Sequence, residues 1–263
     1  MLLAFDIGNT NISVGVFDLS EHAPMLRASF HIASDTRSTR DEYIMRIHGL
    51  LSLHGFSADA ITDAAVSSVV PSLTDVITDV AQFFSSRRPL VIGPGIRTGL
   101  NIRIDQQTQL GSDIVANVVA ALARTDVPAV IVDFGTATTF AVIDASSALS
   151  GAIICPGLRV SMDALADSAS LLMDSDMTRP TSIVGKNTRD SVSSGIINGH
   201  IIMVDGFIRE LRQTLCADSD RKISLIATGG MVQYVAPYCR NKFTIVPALT
   251  LEGIAEIFVR NFV

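Results

Sequence analysis

The sequence predicts an α/β protein made of two duplicated halves, and three observations carry that reading. Apolar residues make up 48% of the 263 positions and charged residues 17%, the balance of a chain with a core to bury rather than of a disordered one. Short apolar runs alternate with helical stretches along the whole length, the pattern of layered α/β domains. A strand that ends in Asp-x-Gly and turns into a returning strand occurs twice, Asp6 and Gly8 being matched by Asp133 and Gly135 at one common offset close to half the chain.

Taken in order, Leu2 to Phe5 reads as a strand, Asp6 to Thr10 as a tight turn, and Ile12, Val14 and Val16 as the alternating face of the returning strand. Arg40 to His54 places Ile44, Ile47, Leu50 and Leu51 on one helical face and stops at Gly55, a residue suited to the left-handed position after a helix. Ala64 to Val70 reads as a buried strand, Pro71 to Phe84 as a helix opened by proline, and Pro89 to Ile92 as another strand. A polar, arginine-bearing loop from Gly95 to Leu110 leads into an apolar helix over Asp113 to Leu122. The halves divide near Arg124 to Pro128, giving domains 1–124 and 125–263. Ala129 to Val132, the turn Asp133 to Ala137 and Thr139 to Asp144 repeat the opening device, and Lys222 to Ala227 reads as a later strand before Thr228-Gly229-Gly230 and a helix. Asn187 to Leu215 reads as a long helix despite Gly195, Gly199 and Gly206, each about 1 kcal/mol worse than alanine. Close packing of helix backbones would account for them.

The formal net charge of −6 gives no general attraction to phosphate backbones or anionic lipid, and the basic residues are scattered. Nucleic acid and membrane are not expected partners. Cys155, Cys216 and Cys239 are too few and too irregular for a disulfide framework or a CxxC metal site. The amino terminus reaches Asp6 with neither a basic start nor a long apolar run, so a cytoplasmic protein is expected.

A carboxylate at the end of a buried strand, then glycine, then hydroxyl or amide side chains, suits metal-bound phosphate. Glycine lets backbone N–H groups approach phosphate oxygens, the polar side chains add donors, and the aspartate holds a cation or its water shell. One Asp-x-Gly alone is more often an ordinary turn; two, one per half, favour phosphate. Gly185-Lys186-Asn187-Thr188 is not a P-loop, because Pro180 stands where the first glycine belongs and Asn187 separates lysine from hydroxyl. No GxGxxG follows a strand, so a dinucleotide fold has no support.

Duplicated halves with a phosphate hairpin in each resemble the acetate and sugar kinase, heat-shock chaperone and actin superfamily. Its two actin-like (ribonuclease H-like) domains flank an ATP cleft. Within it, the chain is similar from end to end to type III pantothenate kinases. The resembling segments are the run from Asp6 to Ile12, Ser67-Ser68-Val69-Val70-Pro71, Thr98-Gly99-Leu100, Gly111-Ser112-Asp113, the run from Asp133 to Thr139, Gly151 to Gly157, Gly185 to Thr188, and Thr228-Gly229-Gly230. The resemblance implies ATP-dependent phosphorylation of pantothenate to 4′-phosphopantothenate for coenzyme A synthesis, with Mg²⁺ on the ATP. It makes Asp6, Ile7, Gly8, Asn9, Thr10, Asn11, Ile12 and Ser13 the first ATP loop and Thr136 a second ATP contact. It makes Asp133 a ligand of potassium or ammonium and Asp113 the general base. Gly111, Ser112, Asp113, Ile114 and Thr188 would touch pantothenate, and it implies a homodimer.

Two positions depart from the pattern. The family usually carries a glycine-alanine-aspartate-arginine run with a tyrosine nine residues before the aspartate, and this chain has Ile114 and Ile104 at the arginine and tyrosine positions. An atypical acceptor site is therefore expected, with a different small hydroxylated acceptor or an inactive nucleotide-binding relative as alternatives. Arg97, Arg103 and Arg159 are candidates to replace the missing cation. His22, His31, His48, His54 and His200 lack metal-ligand spacing, apart from the pair Asp41/His48, and read as surface or packing residues. Cys155 reads as a small core residue, Asp163 and Asp167 as a solvated helix face, and Ser67-Ser68 as packing.

Overall fold

The structure, a computed structural model, describes residues 1–20, 23–106, 110–168, 177–216 and 222–262, which leaves His22 outside. The chain separates into two compact units. One holds Met1–Leu100, Ile104–Arg124 and Ala248–Val263, the other Asn101–Arg103 and Thr125–Pro247.

In the first unit β1 (Leu2–Ile7) turns through Gly8-Asn9-Thr10 into β2 (Asn11–Asp18), and β3 (Met25–Ala33) follows. β1 pairs antiparallel with β2 on one edge and parallel with β4 (Asp63–Ser68) on the other, and β5 (Leu90–Val91) extends the parallel side, giving the order β3-β2-β1-β4-β5. The pleat divides β1 between two cores: Leu3, Phe5 and Ile7 face one, Leu2 and Ala4 the other. The first core is closed by α1 (Arg40–Leu53) and α2 (Pro71–Phe84), through Tyr43, Ile47, Leu51, Leu73 and Ile77. A capping box between Thr39 and Glu42 starts α1, and Gly55 follows its end at φ +80°. The second core is closed by α3 (Ser112–Leu122) and the C-terminal helix (Leu249–Phe262), through Val115, Val119, Leu251, Ile254 and Phe258.

The second unit repeats the plan. β7 (Ala129–Phe134), β8 (Ala137–Ile143) and β9 (Ala148–Pro156) form an antiparallel meander, and β10 (Ser224–Thr228) and β11 (Thr244–Ile245) extend β7 in parallel. The order β9-β8-β7-β10-β11 is that of the first sheet over again, with β6 (Asn101–Ile102) added beside β9. One face is covered by α4 (Leu158–Ser168) and by a helix of 28 residues, Thr188–Leu215, made of α5 (Thr188–Ser193), a wide π-turn over Ser194–Asn198, and α6 (Gly199–Leu215). That long helix has the length and apolarity to cross a membrane, yet half of its apolar stretch is buried, with Ile197, Ile201, Val204 and Ile208 in the core beneath Val130, Val132 and Phe140.

The structure corrects the expected organisation in three places. The C-terminal helix belongs to the first unit, because its apolar stripe completes the core under α3, and β6 joins the second sheet by pairing with β9; the division into 1–124 and 125–263 misses both. β3 was not expected, although Leu26, Ala28, Phe30 and Ile32 alternate with polar residues along it. The glycines of the long helix do not pack against backbone of this chain, since a Cβ on Gly195, Gly199 or Gly206 would meet nothing within 4 Å. Gly195 lies in the π-turn and Gly199 follows it; nothing within the unit explains Gly206.

Close backbone packing occurs instead at Gly253, where a Cβ would run into the carbonyl of Ala116 on α3. Rotation of a side chain cannot relieve such a contact. Gly253→Ala is expected to destabilise the protein by about 1–3 kcal/mol, seen as a lower urea midpoint with an unchanged slope. A midpoint equal to that of the unsubstituted protein would show that the two helices have room to part.

Candidate active site

The first-unit hairpin is built from paired buried strands and an exposed polar tip. Asp6 faces Ser13 and Ile7 faces Ile12 across the ladder; Ile7 and Ile12 are fully buried core residues, while Asn9, Thr10 and Asn11 are exposed. The Gly8 N–H donates to the Asn11 carbonyl at 3.0 Å, the Ser34 N–H to the Thr10 carbonyl at 3.0 Å, and the Ser34 hydroxyl to the Gly8 carbonyl at 2.5 Å. The loop is thus held from the end of β3. Ser13 Oγ lies 3.1 Å from the Nδ1 of His31, which stands on the surface as expected and adds a contact at the loop's far side.

On its other edge β1 runs beside β4, and the register sets Asp6 opposite Ser67 and Ile7 opposite Ser68. Ser67 Oγ is 2.8 Å from Ser112 Oγ at the start of α3, and the same Ser112 hydroxyl bonds the Ser68 N–H at 3.0 Å and the Ser68 carbonyl at 3.1 Å. Ser67 and Ser68 therefore act as polar ties, not as packing alone. Asp113 follows directly. Its Oδ1 accepts the Ile114 N–H at 2.8 Å and lies over Gly111, in space that a Cβ there would fill. Burial pushes the Asp113 carboxyl above the ordinary carboxylate range, against the opposing pull of backbone N–H donors.

The second-unit hairpin has the same parts. Phe134 faces Thr138, so its loop is one residue shorter than the first, and the Gly135 N–H donates to the Ala137 carbonyl at 3.1 Å. Asp133 sits opposite Thr228 of the parallel neighbour β10, as Asp6 sits opposite Ser67. Gly229, at φ +93°, passes so close to Asp133 Oδ1 and the Phe134 backbone that no Cβ would fit, and Gly157 is pressed as closely on the carbonyls of Gly135 and Thr136. Buried beneath the loop, Thr138 Oγ1 lies 2.8 Å from His200 Nε2, whose imidazole burial holds below its ordinary pKa. Thr188 is exposed at the start of α5, capped by Asn187, on an open groove of about 720 Å³ that Lys186, Ser191 and Ile196 also line.

Within the first unit, then, the structure brings the Asp6–Ser13 loop and the Gly111–Ile114 segment together through Ser67; within the second it joins Asp133 and Thr136 on one hairpin but sets Thr188 on a groove that no hairpin residue lines. Ile114 is 6% exposed and Ile104 half-buried. Two of the arginines considered as replacements are engaged on the surface, Arg103 with Asp144 and Arg159 with Asp163. Cys155 is partly buried against the core and its thiol is pushed up by burial, away from reactivity. Sequence reasoning missed Ser112's bond to β4, the Thr228 register match, and His200 beneath the loop. Ser67-Ser68 and Thr228-Gly229-Gly230 stood out as segments of the resemblance, with Ser67-Ser68 read as packing.

Two sheets of the same order, each with a carboxylate and a glycine turn at the end of its central strand, define the fold of the acetate and sugar kinase, heat-shock chaperone and actin class. Solved structures share the fold. A Campylobacter jejuni protein of the Baf group of transcriptional activators aligns over 98% of both chains with a TM-score of 0.60 at 20% identity, and an activator of 2-hydroxyisocaproyl-CoA dehydratase from Clostridium difficile, solved with ADPNP, over 97% of this chain and 92% of its own with a TM-score of 0.52 at 14% identity. The family model for type III pantothenate kinase matches residues 2–210. Type III pantothenate kinases of Syntrophotalea carbinolica and Shouchella clausii are 39% and 38% identical over 261 residues, covering 99% of this chain and 99% and 100% of theirs. The chain belongs to the type III pantothenate kinase family, a family of phosphotransferases, and these full-length matches lend no support to an atypical acceptor site.

The buried carboxyl of Asp113 carries a stability consequence. Its pKa is raised on folding, so the folded state binds this proton more tightly, and the resulting stabilisation is lost as pH rises from the unfolded carboxylate range through the folded pKa. Asparagine has no such titration. Asp113→Asn should melt at least as high as the unsubstituted protein at pH 8, with the difference shrinking toward pH 4; a difference independent of pH would show a well-solvated carboxylate.

Proposed function

We propose that this enzyme transfers the γ-phosphoryl group of ATP to the primary hydroxyl of pantothenate, with Asp113 as the general base that orients the hydroxyl and takes its proton. The observation that carries the assignment is the placement of Asp113. Its carboxyl is partly desolvated and seated over a glycine, and the residue before it, Ser112, bonds Ser67 on the strand beside the one that bears Asp6. A raised pKa makes a carboxylate a better proton acceptor near neutrality.

The exposed tip Asn9-Thr10-Asn11 and the backbone of Gly8 are suited to ATP phosphates, with Thr136 as a further contact from the second hairpin. Among the described residues no group of three or more His, Cys, Asp or Glu gathers. Mg²⁺ would therefore arrive on ATP, where it neutralises phosphate charge. Asp133, with one carboxylate beside the close backbone of Gly229, suits a monovalent cation, potassium or ammonium, completed by carbonyl oxygens. Thr188, Ile104 and the segment Gly111 to Ile114 are the proposed acceptor contacts. A homodimer is supported by an exposed stripe of the long helix, Gly195, Gly199 and Ile202, where small residues would let a second copy approach. A cytoplasmic site of action fits a coenzyme precursor pathway.

Two experiments test this reading. Asp113→Asn should lower pantothenate turnover by about 10²- to 10⁴-fold with the KM for ATP unchanged; full turnover would remove Asp113 from the chemistry. Asp133→Asn should abolish the preference for potassium or ammonium over sodium, an ion that is smaller and more strongly hydrated. Equal rates of the unsubstituted enzyme in the three salts would count against a cation at Asp133.

A further inference from the structure

The Ser112 hydroxyl makes three hydrogen bonds, all to β4, and its chemistry fixes their direction. A serine hydroxyl has one proton to donate and two lone pairs to accept with. The Ser68 carbonyl, 3.1 Å away, can only accept, and the Ser68 N–H, 3.0 Å away, can only donate. With its proton on the Ser68 carbonyl, Ser112 accepts from the Ser68 N–H and, at 2.8 Å, from the Ser67 hydroxyl. The group is then saturated, and being 9% exposed it has nothing left for a ligand.

The anchoring continues into the sheet's other neighbour. Ser68 Oγ accepts from the Thr74 hydroxyl on α2 at 2.8 Å, so β4, α2 and α3 meet at one polar knot. The N-cap of α3 is Gly111, which brings no side chain to cap the first turn. The residue after the fastening is Asp113.

We propose that Ser112 is a positioning residue for Asp113, bolting the first turn of α3 to the end of β4 so that the carboxyl stands at a fixed place beside the Asp6 loop. This inference rests on the assignment of Asp113 as the base. It departs from the expectation that the Ser112 side chain touches pantothenate, and it gives a purpose to a serine that stands at the alanine of the family run.

The test is a double-mutant cycle on the full-length enzyme with ATP and pantothenate. Ser112→Ala should lower kcat by roughly 10-fold, as expected when a catalytic group loses its fixed orientation, with the KM values for ATP and pantothenate within about twofold of the parent. In the Asp113→Asn background, where no base remains to be positioned, the same substitution should change residual turnover by less than about twofold. Ser67→Ala removes one of the same bonds from the strand side and should act in the same direction without adding to Ser112→Ala; melting curves show that each variant is folded. A rise in the pantothenate KM at unchanged kcat would make Ser112 a substrate contact and overturn the proposal, as would an equal loss in both backgrounds or no loss in either serine variant. Full turnover by Asp113→Asn alone would instead remove the base assignment, an outcome read from a different protein.

Discussion

Each unit depends on a central strand bonded along both edges, antiparallel to its hairpin partner and parallel to a strand reached through a longer crossover. β1 and β7 occupy this position. A strand so paired has no freedom to slip, because a one-residue shift would turn its core side chains to the wrong face. The last residues of the strand are therefore fixed in space, and in both units these include an aspartate. On one flank lies the hairpin's glycine; on the other, a hydroxyl residue at the same level of the parallel neighbour, Ser67 or Thr228.

Much of this was legible in the sequence. The hairpins were visible because alternating apolar residues and Asp-x-Gly are local signals, and α2 was visible because proline marks its first turn. The ends of the chain's path were not. That the C-terminal helix returns to α3 is decided by which apolar stripe finishes which core, a pairing between distant segments that no local pattern encodes. The hydroxyl ties were hidden for a related reason: Ser67 and Ser112 are small polar residues unremarkable in isolation, and only the parallel register of β1 and β4 brings them to one place. Ser13 and His31 meet in the same way, through the pairing of β2 with β3, a strand that was itself not expected.

The departures at Ile104 and Ile114 look different once the surroundings are known. Ile114 is almost wholly buried, which suits an apolar side chain and would suit an unpaired guanidinium poorly. The backbone N–H of the same residue serves Asp113 whatever its side chain. A change of side chain at 114 therefore leaves that support of the carboxyl intact. The carboxyl accepts from main chain, which pulls its proton affinity down, and burial outweighs that pull and keeps the affinity high.

The path of the chain also dictates an order of assembly. Because the first unit takes its closing helix from residues 249–262, the core that Val115 and Val119 of α3 share with Leu2, Ala4 and Ala65 lacks one wall until the residues that follow the second unit have been made. The second unit, continuous from Thr125 to Pro247 apart from the short strand β6, is finished on the ribosome sooner than the first. The unit that is read first therefore closes its second core only after the other unit has been read, so interrupting the chain between the two would leave Val115 and Val119 short of their helical partners Leu251, Ile254 and Phe258.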